Sequence, residues 1–148
     1  MTAVSLRGHW YVTLYDLNGN IKDQRSGENV ITTDGKEALA RYLMSAARSV
    51  VTNPFVYVAV GTGSTSETAA DTALGTESAR ATGVATYTSG AIYEITATFP
   101  AGTGTGAITE YGLFNSSSAG TMLSRDVEAV INKGASDILT TTLQITLS

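Results

Sequence analysis

Polar and apolar residues alternate near the start of the chain. Over residues 10–15, Trp10, Val12 and Leu14 fall on one face of a strand and Tyr11, Thr13 and Tyr15 on the other. Asn18-Gly19 follows, the strongest two-residue hairpin signal, with both central positions expected at positive φ. Residues 21–25 read as the return strand. An N-terminal β-hairpin is therefore expected over about 9–26, polar on its second arm. The period then changes. Leu39, Tyr42, Leu43 and Ala46 recur at helical spacing within residues 33–49. Asp34 or Thr33 is placed to cap this helix, and Glu37 stands three after Asp34 in a capping-box spacing. Asn53-Pro54 ends the helix and starts the next strand.

The rest of the chain is a series of short strand-like segments joined by Gly, Ser and Thr. Residues 55–60 are apolar on both faces, as in a central core strand. Further strands are expected at about 81–88, 91–99, 107–115, 120–130 and 137–147. Ser89-Gly90 and Asn132-Lys133-Gly134 form turns between them. The last strand alternates over its whole length, with Leu139, Thr141, Leu143, Ile145 and Leu147 on one face. Six to eight strands with one helix inserted early predict a mainly β fold. The expected form is one antiparallel β-sandwich domain over residues 1–148, jelly-roll-like, with an α-helix near 34–49. Jelly-roll and Greek-key connections both remain open at this level.

One connection is unusually long. Residues 61–78, GTGSTSETAADTALGTES, form a loop of small and polar residues, and a loop of that length is functional or partly disordered. Ala70, Ala73 and Leu74 give it modest stickiness. It is expected to be mobile and to order against a neighbour. Gly61, Thr62, Gly63, Ser64, Thr65, Ser66, Ala73 and Leu74 are its candidate subunit-contact residues.

Composition narrows the function classes. The 148 residues are 43% hydrophobic and only 15% charged, with a net charge of −4, whereas an average soluble domain is about 25% charged. That balance suits polar, uncharged surface inside an assembly. Lys and Arg do not cluster, which argues against a nucleic-acid partner. Cysteine is absent, which removes disulfides, thiolate metal sites and cysteine nucleophiles. The first sixteen residues lack an apolar signal-peptide core, and the longest apolar run is too short for a bilayer, so no membrane association is expected.

Each apparent catalytic motif lacks a necessary part. His9 is the only histidine, it precedes a predicted strand, and no G-x-S-x-G elbow accompanies it. It is expected to be an exposed polar residue, and zinc has no other nitrogen or sulfur ligand here. Asp16, Asn18, Asn20 and Asp23 alternate oxygen ligands like a calcium loop. Glycine is fourth rather than sixth, though, and Gly27 stands where the twelfth-position Glu should be. Gly61-Thr62-Gly63 follows a strand, but Ser66 replaces the third glycine of a dinucleotide fingerprint and no Gly-Lys-Ser/Thr follows. Glu94 and Glu110 are candidates for a glycosidase carboxylate pair. Their ordinary reading is solvation or pairing with arginine, for which Arg80 and Arg125 are the candidates. Tyr57, Tyr87, Tyr93 and Tyr111 lie on separate strands, either filling the core or an interface, or lining an exposed face that stacks on carbohydrate. No catalytic residue, metal, cofactor or small-molecule substrate is assigned, and an enzyme is not expected.

Three stretches carry a resemblance: NVITTDGKEALARYL at 29–43, VAVGTGSTSETAADTALGTESAR at 58–80, and FPAGTGTGAITEYGLFNSSSAGTMLSR at 99–125. Their order resembles small virion structural proteins of tailed bacteriophages. The most specific parts are 61–80 and 108–125. The resemblance implies an all-β, jelly-roll-like module, made in the cytoplasm of the infected bacterium and built into the phage particle. A capsid cement or decoration protein, bound to the major capsid protein and to copies of itself as a homo-oligomer, is the first expectation. A tail, collar or fibre component that binds a host-surface glycan is the alternative. The opening hairpin lies outside the matched part and either adds to a neighbour's sheet or packs at home.

Overall fold

The structure, a computed structural model, describes residues 3–44 and 53–148. Along the chain run β1 (Leu6–Tyr15), β2 (Ile21–Ile31), α1 (Thr33–Met44), β3 (Tyr57–Gly61), β4 (Glu77–Thr82), β5 (Val84–Tyr87), β6 (Ile92–Phe99), β7 (Gly106–Phe114), β8 (Met122–Lys133) and β9 (Ile138–Leu147). The strands form one antiparallel sheet in the order β4-β3-β7-β8-β2-β1-β9-β6-β5.

The sheet narrows once and nearly closes on itself. β2 pairs along its whole length with β1, yet meets β8 only through Val30 with Arg125 and Ile31 with Ser124. Four strands (β4, β3, β7 and β8) therefore lie on one side of this isthmus and five (β2, β1, β9, β6 and β5) on the other. At the opposite end of the order, β4 and β5 are separated by Gly83 alone. The Gly83 N–H donates to the Val56 carbonyl at 2.6 Å. A side chain at Gly83 would meet Ile95 Cγ2 at 2.5 Å, so glycine lets the chain turn the corner against β6. The single strand expected at 81–88 is thus two strands, one on each side of that corner.

The opening hairpin forms as its alternation requires. Trp10, Val12 and Leu14 are buried, and Tyr11 is exposed on the other face. The turn is built differently from expectation. Gly19 takes φ 83, and among the described residues Ala119 is the one non-glycine with positive φ, so Asn18 is not left-handed. The Asp16 carboxylate instead accepts the N–H groups of Asn18 at 2.8 Å and Asn20 at 2.9 Å. An aspartate that binds its own following backbone closes the loop without a second left-handed residue.

The core fills the inside of the curled sheet. Trp10, Val12 and Leu14 meet Val58 and Val60 of β3, Ile95 and Phe99 of β6, Ile108, Tyr111 and Leu113 of β7, and Leu139, Leu143 and Ile145 of β9. A fully buried side chain of this size contributes about 1.5–3 kcal/mol. Trp10 and Tyr111 approach to 5.5 Å between ring centroids. β3 is buried on both faces, as its sequence predicts. Its second face joins Ala59 to Leu74, Phe114 and Met122 in a smaller cluster beneath the long loop.

α1 is capped earlier than predicted, by Thr32, one residue before Thr33 and two before Asp34. Buried Thr32 accepts the Gly35 N–H on its hydroxyl at 3.0 Å, and its carbonyl accepts the Lys36 N–H at 3.1 Å. That is the geometry of an N-cap at 32. The Thr32 hydroxyl donates in turn to the Met122 carbonyl, which ties the helix start to β8. Of the predicted apolar stripe, Leu39 packs on the core together with Ala38, while Tyr42 and Leu43 are exposed. Ala46 and residues 45–49 of the predicted helix lie outside the described residues. Among the described residues, no helix is long and apolar enough to cross a membrane.

Candidate functional site

The connection between β3 and β4, expected to be mobile, is tied to the sheet by hydrogen bonds at both ends and in its middle. Its anchor is Glu110 on β7, whose side chain is fully buried and points to the outer face of the sheet. Glu110 Oε1 accepts the backbone N–H of Gly63 at 2.9 Å and of Thr76 at 2.7 Å. Oε2 accepts the N–H of Gly75 at 2.8 Å. One carboxylate therefore binds both ends of the loop. Thr109, its neighbour in sequence, donates its hydroxyl to the Gly63 carbonyl at 2.8 Å.

Arg125 on β8 completes the clamp. Its Nη2 and Nε lie 2.9 and 3.2 Å from Glu110 Oε2. Nη2 also donates to the Thr65 carbonyl at 3.0 Å, and Nη1 to Asp71 Oδ2 at 2.8 Å. Asp71 in turn accepts the N–H and the hydroxyl of Thr68, each at 2.9 Å. The middle of the loop, its two ends and two strands thus share one connected polar network. Burial pushes the Glu110 carboxyl up, but the Thr76 and Gly75 N–H groups, Arg125 and the Gly63 N–H outweigh it and hold it below its ordinary value. Asp71 is lowered in the same way: burial opposes, and Thr68 and Arg125 prevail.

The glycines of this loop make room for the carboxylate. A Cβ at Gly63 would stand 2.5 Å from Glu110 Oε1, and one at Gly61 would stand 2.3 Å from the Thr76 carbonyl and 2.6 Å from Glu110 Oε1. The phosphate-loop likeness of Gly61-Thr62-Gly63 has its explanation here. Backbone N–H groups do converge on an anion, and the anion is the protein's own Glu110.

The predicted contact residues separate into two kinds. Thr62, Ser64, Thr65, Ser66 and Ala73 are exposed. Gly61 and Leu74 are buried, and Gly63 is half-buried. Leu74 packs under the loop against Phe114 and Met122, so Gly61, Gly63 and Leu74 serve the clamp instead of offering surface. Gly75, Thr76 and Asp71 belong to the site and were not singled out from the sequence. Thr68-Ala69-Ala70-Asp71 does carry a signal, the T-x-x-D spacing of a reciprocal cap.

A second polar group lies inside the core. Asp126 on β8 faces Tyr111 across the β7–β8 ladder. Both are buried, and neither the Asp126 oxygens nor the Tyr111 hydroxyl has a partner among the described residues. Trp10 Nε1 and the Ser124 hydroxyl share that condition. Burial, reinforced by Glu128 and Glu67, pushes the Asp126 carboxyl up to about 7. The inner face of β2 is polar beside it: Asp23, Arg25, Gly27 and Asn29 stand opposite Leu14, Val12, Trp10 and Gly8. This is the region where β2 and β8 are not paired.

The other candidates are dispersed. Glu94 accepts from the Gln144 amide at 2.8 Å on β9, so it shares no partner with Glu110. Arg80 pairs with Glu77 at 2.7 Å, donates to the Ser116 and Ala119 carbonyls, and lies 3.7 Å over the Phe114 ring. The four tyrosines share no exposed face. Tyr111 is in the core, Tyr93 is half-buried and donates to the Phe55 carbonyl, Tyr57 packs beside Ala59 and Phe114, and Tyr87 is exposed. His9 lies within β1 instead of before it, half-buried, with its ring 4.6 Å from that of Tyr11. Among the described residues, no group of three or more His, Cys, Asp or Glu is placed to hold a metal ion. Compared with protein-family models, curated proteins and solved structures, the chain gives no significant match to any of them.

Proposed function

We propose that the protein is a structural component of a tailed-bacteriophage particle, a capsid cement protein that binds and stabilises the shell of major capsid protein. The observation that carries this reading is the clamped loop. The two most specific stretches of the resemblance, 61–80 and 108–125, contain every side chain and backbone group of the Glu110–Arg125–Asp71 network. What the resembling residues build is thus an anchored loop that presents Thr62, Ser64, Thr65, Ser66 and Ala73, small and uncharged, to a neighbour. A preorganised loop loses little conformational entropy on docking, so a shallow contact gains affinity. Repeated over many shell sites and shared among linked copies, weak contacts add through avidity. Under this reading the curled sheet is a jelly-roll-like sandwich and the protein resides in the virion.

Copy number tests the proposal. Quantitative mass spectrometry of purified particles is expected to find hundreds of copies, comparable to the shell protein; a count of a few to a few dozen would place the protein in the tail and sink the cement reading. Binding to shells that lack the protein is expected to fail for Ala73→Arg and Thr65→Arg, with the melting temperature unchanged.

A further inference from the structure

We propose that the free edge of β5 pairs antiparallel with the same strand of a second copy of this chain. β5 ends the sheet: it is bonded to β6 on one side and, among the described residues, to no strand on the other. All four of its residues, Val84 to Tyr87, are exposed, with Val84 at 70% and Tyr87 at 75%. An apolar strand exposed on both faces, with unpaired backbone along one edge, is a template for another strand.

Comparison with the other edges sharpens the point. Natural sheets protect their edges with charge, proline or bulges. β4, at the opposite end of the order, carries Glu77 and Arg80, and its ladder is irregular at Val60/Gly61. The stretch of β2 that is unpaired toward β8 carries Lys22, Asp23, Arg25 and Glu28. β5 and its turn, residues 83–93, contain no charged residue and no proline. Of these three edges it alone lacks protection.

The absence of charge on the β5 hairpin favours a second copy as the occupant: it offers nothing to a charged partner, and two copies of residues 83–93 meet without burying an unpaired charge. Identical strands pairing antiparallel about a two-fold axis make a closed, self-complementary contact. Residues directly opposite in such a ladder share a face, so one β5 residue must stand opposite its own copy. Four residues make a short ladder, and the pair is weak in free solution. The inference holds whether or not the chain belongs to a phage particle.

The absence of cysteine makes the test clean, because a single introduced thiol can only bridge two molecules. Sedimentation velocity of the intact chain should show a monomer–dimer equilibrium with a dissociation constant on the order of 100 µM. Val84→Lys and Ala85→Lys should each weaken it at least about tenfold by setting like charges across the axis. Oxidised Ala85→Cys, Thr86→Cys and Tyr87→Cys should yield covalent dimers, most readily at the residue nearest the axis, while Gln24→Cys on β2 should not. A chain that stays monomeric up to about 1 mM, tenfold above that constant, overturns the proposal. So does association unaffected by both lysine variants, or bridging at Gln24→Cys as ready as on β5. If a lysine variant loses its β-sheet circular dichroism, the cysteine series decides.

Discussion

Arg125 and Glu110 meet through two donors on one oxygen. Nη2 and Nε of the arginine both reach Glu110 Oε2, while Oε1 is left to the backbone of Gly63 and Thr76. The arrangement uses the arginine fork fully, since Nη1 goes on to Asp71. Breaking a buried ion pair from one side strands the other charge, which costs about 3–5 kcal/mol. Arg125→Met is therefore expected to lower the unfolding free energy by that order in a denaturant titration. Arg125→Lys keeps the charge but not the planar fork, and should recover only part of the loss. Hydrogen exchange of residues 62–76 should accelerate in both variants. Unchanged exchange there would mean that the loop is held by something else.

The glycines provide a finer test of the same clamp. Gly63→Ala drives a methyl into Glu110 Oε1, and Gly61→Ala drives one into the Thr76 carbonyl as well. Overpacking of this kind costs about 1–3 kcal/mol. Gly61→Ala should be the worse of the two, because a backbone carbonyl cannot swing aside as a carboxylate can. Gly102→Ala serves as the contrast: its φ of +80° is strained for alanine, but no atom lies within 4 Å. That change should cost about 1–2 kcal/mol from backbone strain alone and leave exchange in the 62–76 loop untouched.

Helix propensity and close packing point in opposite directions at Gly35. Alanine is favoured over glycine inside a helix by about 1 kcal/mol. A Cβ at this position would lie 2.6 Å from Leu123 Cα and 2.7 Å from its carbonyl oxygen, both backbone atoms of β8. The strand cannot retreat without breaking the Thr32 contacts to the same segment. Sterics should win, so Gly35→Ala is expected to destabilise by about 1–3 kcal/mol, read as a fall in the denaturation midpoint. A rise in stability would show that α1 can shift along β8.

These positions also show how far the sequence could be read. The alternation of Trp10–Val12–Leu14 and of Leu139–Thr141–Leu143–Ile145 placed β1 and β9 directly, because the two-residue period of a strand is local information. The anchoring of the 62–76 loop was not legible, because Glu110 lies 47 residues from Gly63 and 34 from Thr76. Glu110 is visible as a carboxylate within a predicted strand, but nothing nearby in sequence says that backbone N–H groups will fold over it. Thr32 was missed as the cap for a similar reason. Asp34, with Glu37 three residues on, satisfies the local pattern better than Thr32 does, and the contact between Thr32 and β8 overrides it. The split of residues 81–88 at Gly83 depends likewise on Ile95, which closes in from β6.

Asp126 should make stability fall as pH rises. Its folded value of about 7 lies above the ordinary 3.8, so between those two limits the folded state holds a proton that the unfolded chain has released. Stability from this group is complete below about pH 4, declines through the window, and is lost above 7; the span corresponds to about 4 kcal/mol. Glu110 and Asp71 act in the opposite sense. Their folded values are depressed, so their contribution is present above the ordinary carboxylate range and is lost as pH falls through the lowered values. Asp126→Asn mimics the protonated carboxyl with nearly the same shape and cannot ionise. It is expected to melt several degrees above the parent at pH 8, on the scale of roughly 2–4 °C per kcal/mol for a domain of this size, and to converge with it near pH 4. Thermal melts of both proteins from pH 4 to 8 check this. A constant difference across the range would show that the carboxyl stays ionised in the core or finds a partner there.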